Sequence, residues 1–277
     1  MTATTTAGRR PVARQVVLTL GYVACVLGSM VGVGVFGGTP IAEAAGGALA
    51  ADATHLAPGS GAFSVWSVIY VGLGGYTLWQ WWDREDHRRV AWPALASLLL
   101  NAAWILVVQA GRLWLSVVVI AALLGVLALL FRRLLAGRPR SAVEAVVADG
   151  TFGLYLGWVS VATCANVAAA LAAAGFTGGG RPEAWAVGVL VAVAVVGVGL
   201  AVVGRGRLAP AATLVWGVAW IAVARATGQP QSTLTAVAAA TAAAVVVAAT
   251  VTCRRRAAAT DRSPAPRTHR PTTQEVR

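Results

Sequence analysis

The chemistry available to this chain is concentrated in one uncharged apolar stretch, TFGLYLGWVSVATCAN, from Thr151 to Asn166. Tyr155, Trp158, Ala162 and Asn166 recur at three- and four-residue spacing, so on a helix they form one face. An amide in hydrocarbon must find a partner or line a polar cavity. Asn101 and Trp104, three residues apart, share a face in the same way. Two such faces meeting between helices make an aromatic-lined pocket with few polar groups. In such a pocket the amides would orient a ligand's polar group. The competing use of the two amides is to bridge helices, worth about 0.6 kcal/mol each in a membrane.

Reaction chemistry is poorly provided for. No ionisable residue sits in the middle of an apolar segment, where coupled transporters usually keep one. Asp149 and Arg112 fall at segment ends, where snorkelling accounts for them. The three histidines, His55, His87 and His269, fall in a loop, a turn and the tail, and read as solvated surface. No Walker A, HExxH, GxSxG or metal-spaced His/Cys pattern is present. Cys25, Cys164 and Cys253 are scattered in or beside apolar segments and read as packing. The expectation is a binding protein with no catalytic residue, no metal and no cofactor.

The elements that must position these residues follow from composition. Of 277 residues, 58% are hydrophobic and only 12% charged, and mean hydropathy is +0.72. A soluble domain carries about a quarter charged residues. Eight apolar segments long enough to span a bilayer run over about 15–36, 61–82, 90–110, 113–131, 149–174, 184–203, 208–226 and 232–252. The fold class is therefore an all-α, polytopic integral membrane helical bundle. Residues 1–14 read as an N-terminal tail, and 253–277, rich in Pro, Thr and Arg, as a disordered basic tail. Gly28, Gly32 and Gly34 suit close helix contact in the first span.

Net charge is +12 and every basic residue is arginine. With both ends cytoplasmic and eight spans, nineteen arginines fall inside and only Arg112, Arg181 and Arg225 outside. This obeys the positive-inside rule at every connection and places the protein in the plasma membrane, facing lipid. The charge forms no contiguous basic face, which excludes nucleic acid as a partner. Among eleven tryptophans, Trp79, Trp81, Trp82, Trp92, Trp114 and Trp185 sit at span ends as an interfacial belt. Trp66, Trp104, Trp158, Trp216 and Trp220 lie deeper, as bundle packing or as pocket walls.

Three motifs carry a family resemblance: FSVWSVIY with Phe63, Trp66 and Tyr70, LNAAW with Asn101 and Trp104, and YLGWVSVATCAN with Tyr155, Trp158, Ala162 and Asn166. In order and spacing they resemble the tryptophan-rich sensory protein family (TspO/MBR, the translocator protein family). The resemblance covers about residues 15–175, a five-helix domain, and leaves three additional helices at 176–252. It departs in two places. The family's Trp- and Pro-rich loop is reduced to His55-Leu-Ala-Pro58-Gly-Ser, and Phe63 to Trp66 is one residue shorter. The resemblance implies binding of a flat hydrophobic ligand of tetrapyrrole (porphyrin) type, for sensing or transport. The implied site is Trp66, Tyr70, Asn101, Trp104, Tyr155, Trp158, Ala162 and Asn166. Family precedent and the Gly-rich faces make room for a homodimer. A permease for a neutral or amphipathic solute, and a structural or partner-binding membrane protein, are the alternatives.

Overall fold

A computed structural model describes residues 9–35, 39–83 and 85–262, with side chains from 12 to 260. Eight long helices follow one another: α1 Arg9–Gly32, α2 Val65–Trp79, α3 Ala91–Gln109, α4 Leu113–Ala136, α5 Thr151–Ala173, α6 Pro182–Val203, α7 Leu208–Thr227 and α8 Thr233–Arg262. No strand occurs among the described residues. Each of the eight is long and apolar enough to cross a membrane. Lipid-facing apolar side chains are the natural surface of such a bundle, and Val71, Leu78, Val118 and Val195 are all exposed.

α1, α3, α4, α5 and α2 close a five-membered ring, each packed on the next, with α2 touching both α1 and α5. The other face of α5 packs on α7, which packs on α8, which packs on α6. α5 therefore belongs to both groups and is the most buried span. Glycine makes its second contact: a Cβ on Gly157 would lie 2.0 Å from the Pro210 carbonyl oxygen, and one on Gly153 2.7 Å from Ala209 Cβ. Gly28 and Gly32 do the same for α1 against Ala102 and Ile105 of α3. Gly34, expected to serve helix contact, instead lies past α1 in a turn with φ of 83°.

Four expectations need correction. The tail expected to be disordered from residue 253 is helical as far as Arg262. Alanine and arginine are good helix formers, and a helix already nucleated at Thr233 propagates at little cost; residues 263–277 and His269 lie outside the described residues. Likewise α1 begins at Arg9, within the stretch read as a tail. Finally, Asp149 does not snorkel. Its carboxylate takes Arg88 at 2.7 Å and also pairs with Arg207, while Arg88 reaches Glu144 at 2.6 Å. Arg88 and Glu144 are each 2% exposed. His87, expected to be solvated, is half-buried with Nε2 3.7 Å from the Glu144 carboxylate.

A π-helical stretch, Ala145–Gly150, makes this cluster geometrically accessible. In an α-helix, residues five apart point about 140° away from each other. The wider π turn reduces that angle, so Glu144 and Asp149 face the same arginine. The cluster joins the α2–α3 turn, the α4–α5 connection and the α6–α7 turn. Replacing Arg88 by Met should cost about 3–5 kcal/mol by stranding Glu144. The check is the thermal unfolding midpoint in detergent: it should fall steeply in Arg88→Met and recover largely in Arg88→Met/Glu144→Met. Equal midpoints for wild type and the single variant would contradict this.

Candidate functional site

The motif residues converge where α2, α3 and α5 meet, and they form two layers. In the closed layer, Trp66 stacks on Tyr70 with centroids 5.3 Å apart and meets Tyr155 edge-on at 5.7 Å. Asn101 donates from Nδ2 to the Tyr70 hydroxyl at 2.9 Å and to Cys25 Sγ at 3.3 Å. Tyr22 of α1 donates to the Tyr70 carbonyl at 3.2 Å. Trp66, Tyr70, Asn101 and Tyr155 are thus spent on one another, each ring pair contributing about 0.5–1.5 kcal/mol beyond burial.

The second layer encloses space. Phe63, Trp104, Trp158, Ala162 and Asn166 surround a cavity of about 40 Å³, roofed by Ile41, Leu49, Thr54, Ala57 and Pro58. Phe63 and Trp158 meet edge-on at 5.8 Å, and Trp66 touches Trp158 at 6.2 Å, linking the layers. Trp104 donates from Nε1 to Asn166 Oδ1 at 2.6 Å, and Asn166 donates from Nδ2 to Ser116 Oγ at 2.9 Å. Asn166 is therefore locked in orientation by α3 on one side and α4 on the other. Among the described residues, two polar atoms of the cavity's lining side chains are buried without a partner: the Trp158 indole Nε1 and the Thr54 hydroxyl. Each such orphan costs about 1–3 kcal/mol. What the lining offers chemically is aromatic faces with few polar groups among them. Among the described residues there is no cluster of His, Cys, Asp and Glu able to hold a metal ion.

Of the eight residues expected at the site, Trp104, Trp158, Ala162 and Asn166 line the cavity; Trp66, Tyr70, Asn101 and Tyr155 support it from below. Ser116 was missed, although a lone hydroxyl in LWLSVVVI is the kind of signal that marks a partner for a buried amide. The roof was missed too, and its fastening comes from the additional helices. Arg225 of α7, expected in an outside loop, is fully buried and donates to the carbonyls of Thr54 at 2.9 Å and Ala51 at 2.6 Å. Trp216 donates to the Ala62 carbonyl at 2.9 Å, and the Trp220 carbonyl accepts from Gly59 N at 3.3 Å. The Trp220 ring lies so close that a Cβ on Gly61 would be 2.3 Å from it. Trp216 and Trp220 do not line the cavity: Trp220 packs against the core, Trp216 is partly exposed, and both hold the roof. His55, expected to be solvated, sits half-buried beside Arg225; burial first, then that guanidinium, push its pKa below the usual imidazole value, with Glu183 acting in the opposite direction.

No curated protein and no solved structure matches this chain. A family model does: residues 16–252 match the family described as TSPO-like protein. The match runs past residue 175 through α6, α7 and α8, which the motif resemblance had left without a counterpart. With the motif residues gathered in one bundle and the match spanning nearly all of it, the chain is a multi-pass membrane protein that belongs to the TSPO-like family.

Proposed function

We propose that this protein binds a flat hydrophobic small molecule of tetrapyrrole type in the cavity between α3, α5 and the 41–58 roof, for sensing or transport rather than for catalysis. The observation that carries the reading is the aromatic, otherwise apolar lining of a cavity two of whose residues, Trp158 and Thr54, hold buried donors with no partner among the described residues. A ligand acceptor that reached either donor would satisfy it. Pockets for drug-sized ligands run to about 300–1,000 Å³, so a cavity of about 40 Å³ is the closed form. The roof must lift for a tetrapyrrole to enter, and Arg225 is the latch it must leave. The arginine distribution supports a plasma-membrane setting with both termini cytoplasmic, and puts the roof on the outer side.

Two experiments test this. Protoporphyrin IX should quench the tryptophan fluorescence of the detergent-solubilised protein saturably. Trp158→Phe/Asn166→Ala should weaken binding by at least about tenfold, on the scale of two lost polar contacts. Trp114→Phe, at the lipid surface, should leave affinity unchanged. Unsaturable quenching, equal in all three proteins, would remove the tetrapyrrole reading.

The latch has its own readout, amide hydrogen exchange of residues 41–59. Arg225→Met should speed it by at least about tenfold, since two charge-assisted hydrogen bonds are lost. The pH dependence follows from His55. Its folded pKa lies below 6.5, so the closed roof favours the neutral ring. The closed form is fully favoured above pH 6.5 and loses stability as pH falls through the lowered value. After correction for intrinsic exchange, opening should rise between pH 7 and 5 in wild type and stay flat in His55→Gln. A flat wild-type profile would break the link between His55 and the roof.

A further inference from the structure

At the arginine-rich end of the bundle, opposite the roof, a surface groove of about 610 Å³ opens between α1, the α2–α3 turn, α3 and α4. Its lining includes Arg14, Arg89, Arg133 and Trp92. We propose that this groove binds the phosphate-bearing head of an anionic phospholipid, with the three arginines as its ligands and Trp92 marking the depth of the headgroups.

The arginines at this end are used in two ways. Arg88, Arg140 and Arg207 are neutralised by Glu144, Glu85 and Asp149. Arg14, Arg89 and Arg133 have no ion-pair partner among the described residues. Arg14 donates to the Asp83 carbonyl and Arg133 to the Arg89 carbonyl. A carbonyl holds a guanidinium in place without cancelling its charge, and each guanidinium keeps further N–H donors for a phosphate.

Three acids lie at or beside the groove, Asp83, Glu85 and Asp86, and Asp86 is within electrostatic reach of both Arg14 and Asp83. Glu85 pairs with Arg140 at 2.8 Å. Asp86 accepts from Val90 N at 2.9 Å and from Ala91 N, capping α3, and burial pushes its pKa up. His87 turns toward Glu144. The balance in the groove is net positive. In the turn that carries them, Asp86 and Arg89 both lie at positive φ, 46° and 54°.

The membrane supplies the occupant. Trp82 and Trp92, 76% and 60% exposed, sit at this end as interfacial residues do. The groove is built from the first turns of α1 and α3 and the last turn of α4, so it opens at headgroup level. Basic pockets between helices on the cytoplasmic side are where anionic headgroups bind. Phosphate is also presented by soluble anions, so the test must separate the two sources.

The full-length protein, purified in detergent, is delipidated and then offered dioleoyl-phosphatidylglycerol, dioleoyl-phosphatidylcholine or pyrophosphate. Retained lipid is counted by native mass spectrometry and thermal stabilisation is read in parallel. Phosphatidylglycerol should be retained in preference to phosphatidylcholine and should stabilise the protein. Each arginine removed should weaken retention about fivefold, so Arg14→Gln/Arg89→Gln/Arg133→Gln should abolish it. Arg254→Gln/Arg255→Gln/Arg256→Gln removes the same charge elsewhere and should retain the lipid. Arg89→Gln alone, at an exposed side chain, covers a failure of the triple variant to fold and should show the fivefold loss by itself. Equal retention in Arg89→Gln and wild type, equal loss in the two triple variants, or tighter binding of pyrophosphate than of the lipid would overturn the proposal.

Discussion

A polar group inside a helical membrane bundle has no water to turn to, and this constraint organises the structure. Asn101 is satisfied by Tyr70 and Cys25, and Asn166 by Trp104 and Ser116. Arg88, Glu144, Asp149 and Arg207 satisfy one another at one end, and Arg225 is satisfied by loop carbonyls at the other. Each solution ties together elements distant in the chain. Trp158 Nε1, beside the paired Asn166, has no partner among the described residues.

The same constraint explains the role of the last three helices. The 41–58 roof bonds part of its backbone to itself, but carbonyls such as those of Ala51 and Thr54 take donors from outside it. α7 supplies them, from Arg225 and Trp216. α7 is in turn anchored against α5 by the glycines at 153 and 157. A helix outside the five-membered ring is thereby coupled through α5 to both the floor and the roof of the cavity, and α6 and α8 brace it from behind.

The site was partly legible in the sequence. Aromatic and amide residues repeating at helical spacing in an uncharged segment identified α5 and α3 as its walls, and Trp104, Trp158, Ala162 and Asn166 do line the cavity. Of the other four expected residues, Asn101 and Tyr155 share those helix faces one turn away, while Trp66 and Tyr70 come from α2, and all four are taken up by one another's rings and hydrogen bonds. Spacing along a helix reports direction around the axis. It does not report how far apart two helices stand at a given depth, which separates a pocket wall from a packed ring.

The sequence by itself determined the class, the eight spans and the family motifs, because hydrophobic run length, charge asymmetry and helical periodicity are properties of contiguous residues. Only the tertiary structure decided which polar groups are paired. Asp149 and Arg225 looked like ordinary span-end residues, yet one lies in a buried ion cluster and the other fastens the roof. Their partners are 58 and 61 residues away for Asp149, and 171 and 174 for Arg225. No local pattern encodes such a pairing, since it exists only where helix packing brings a donor and an acceptor together out of water.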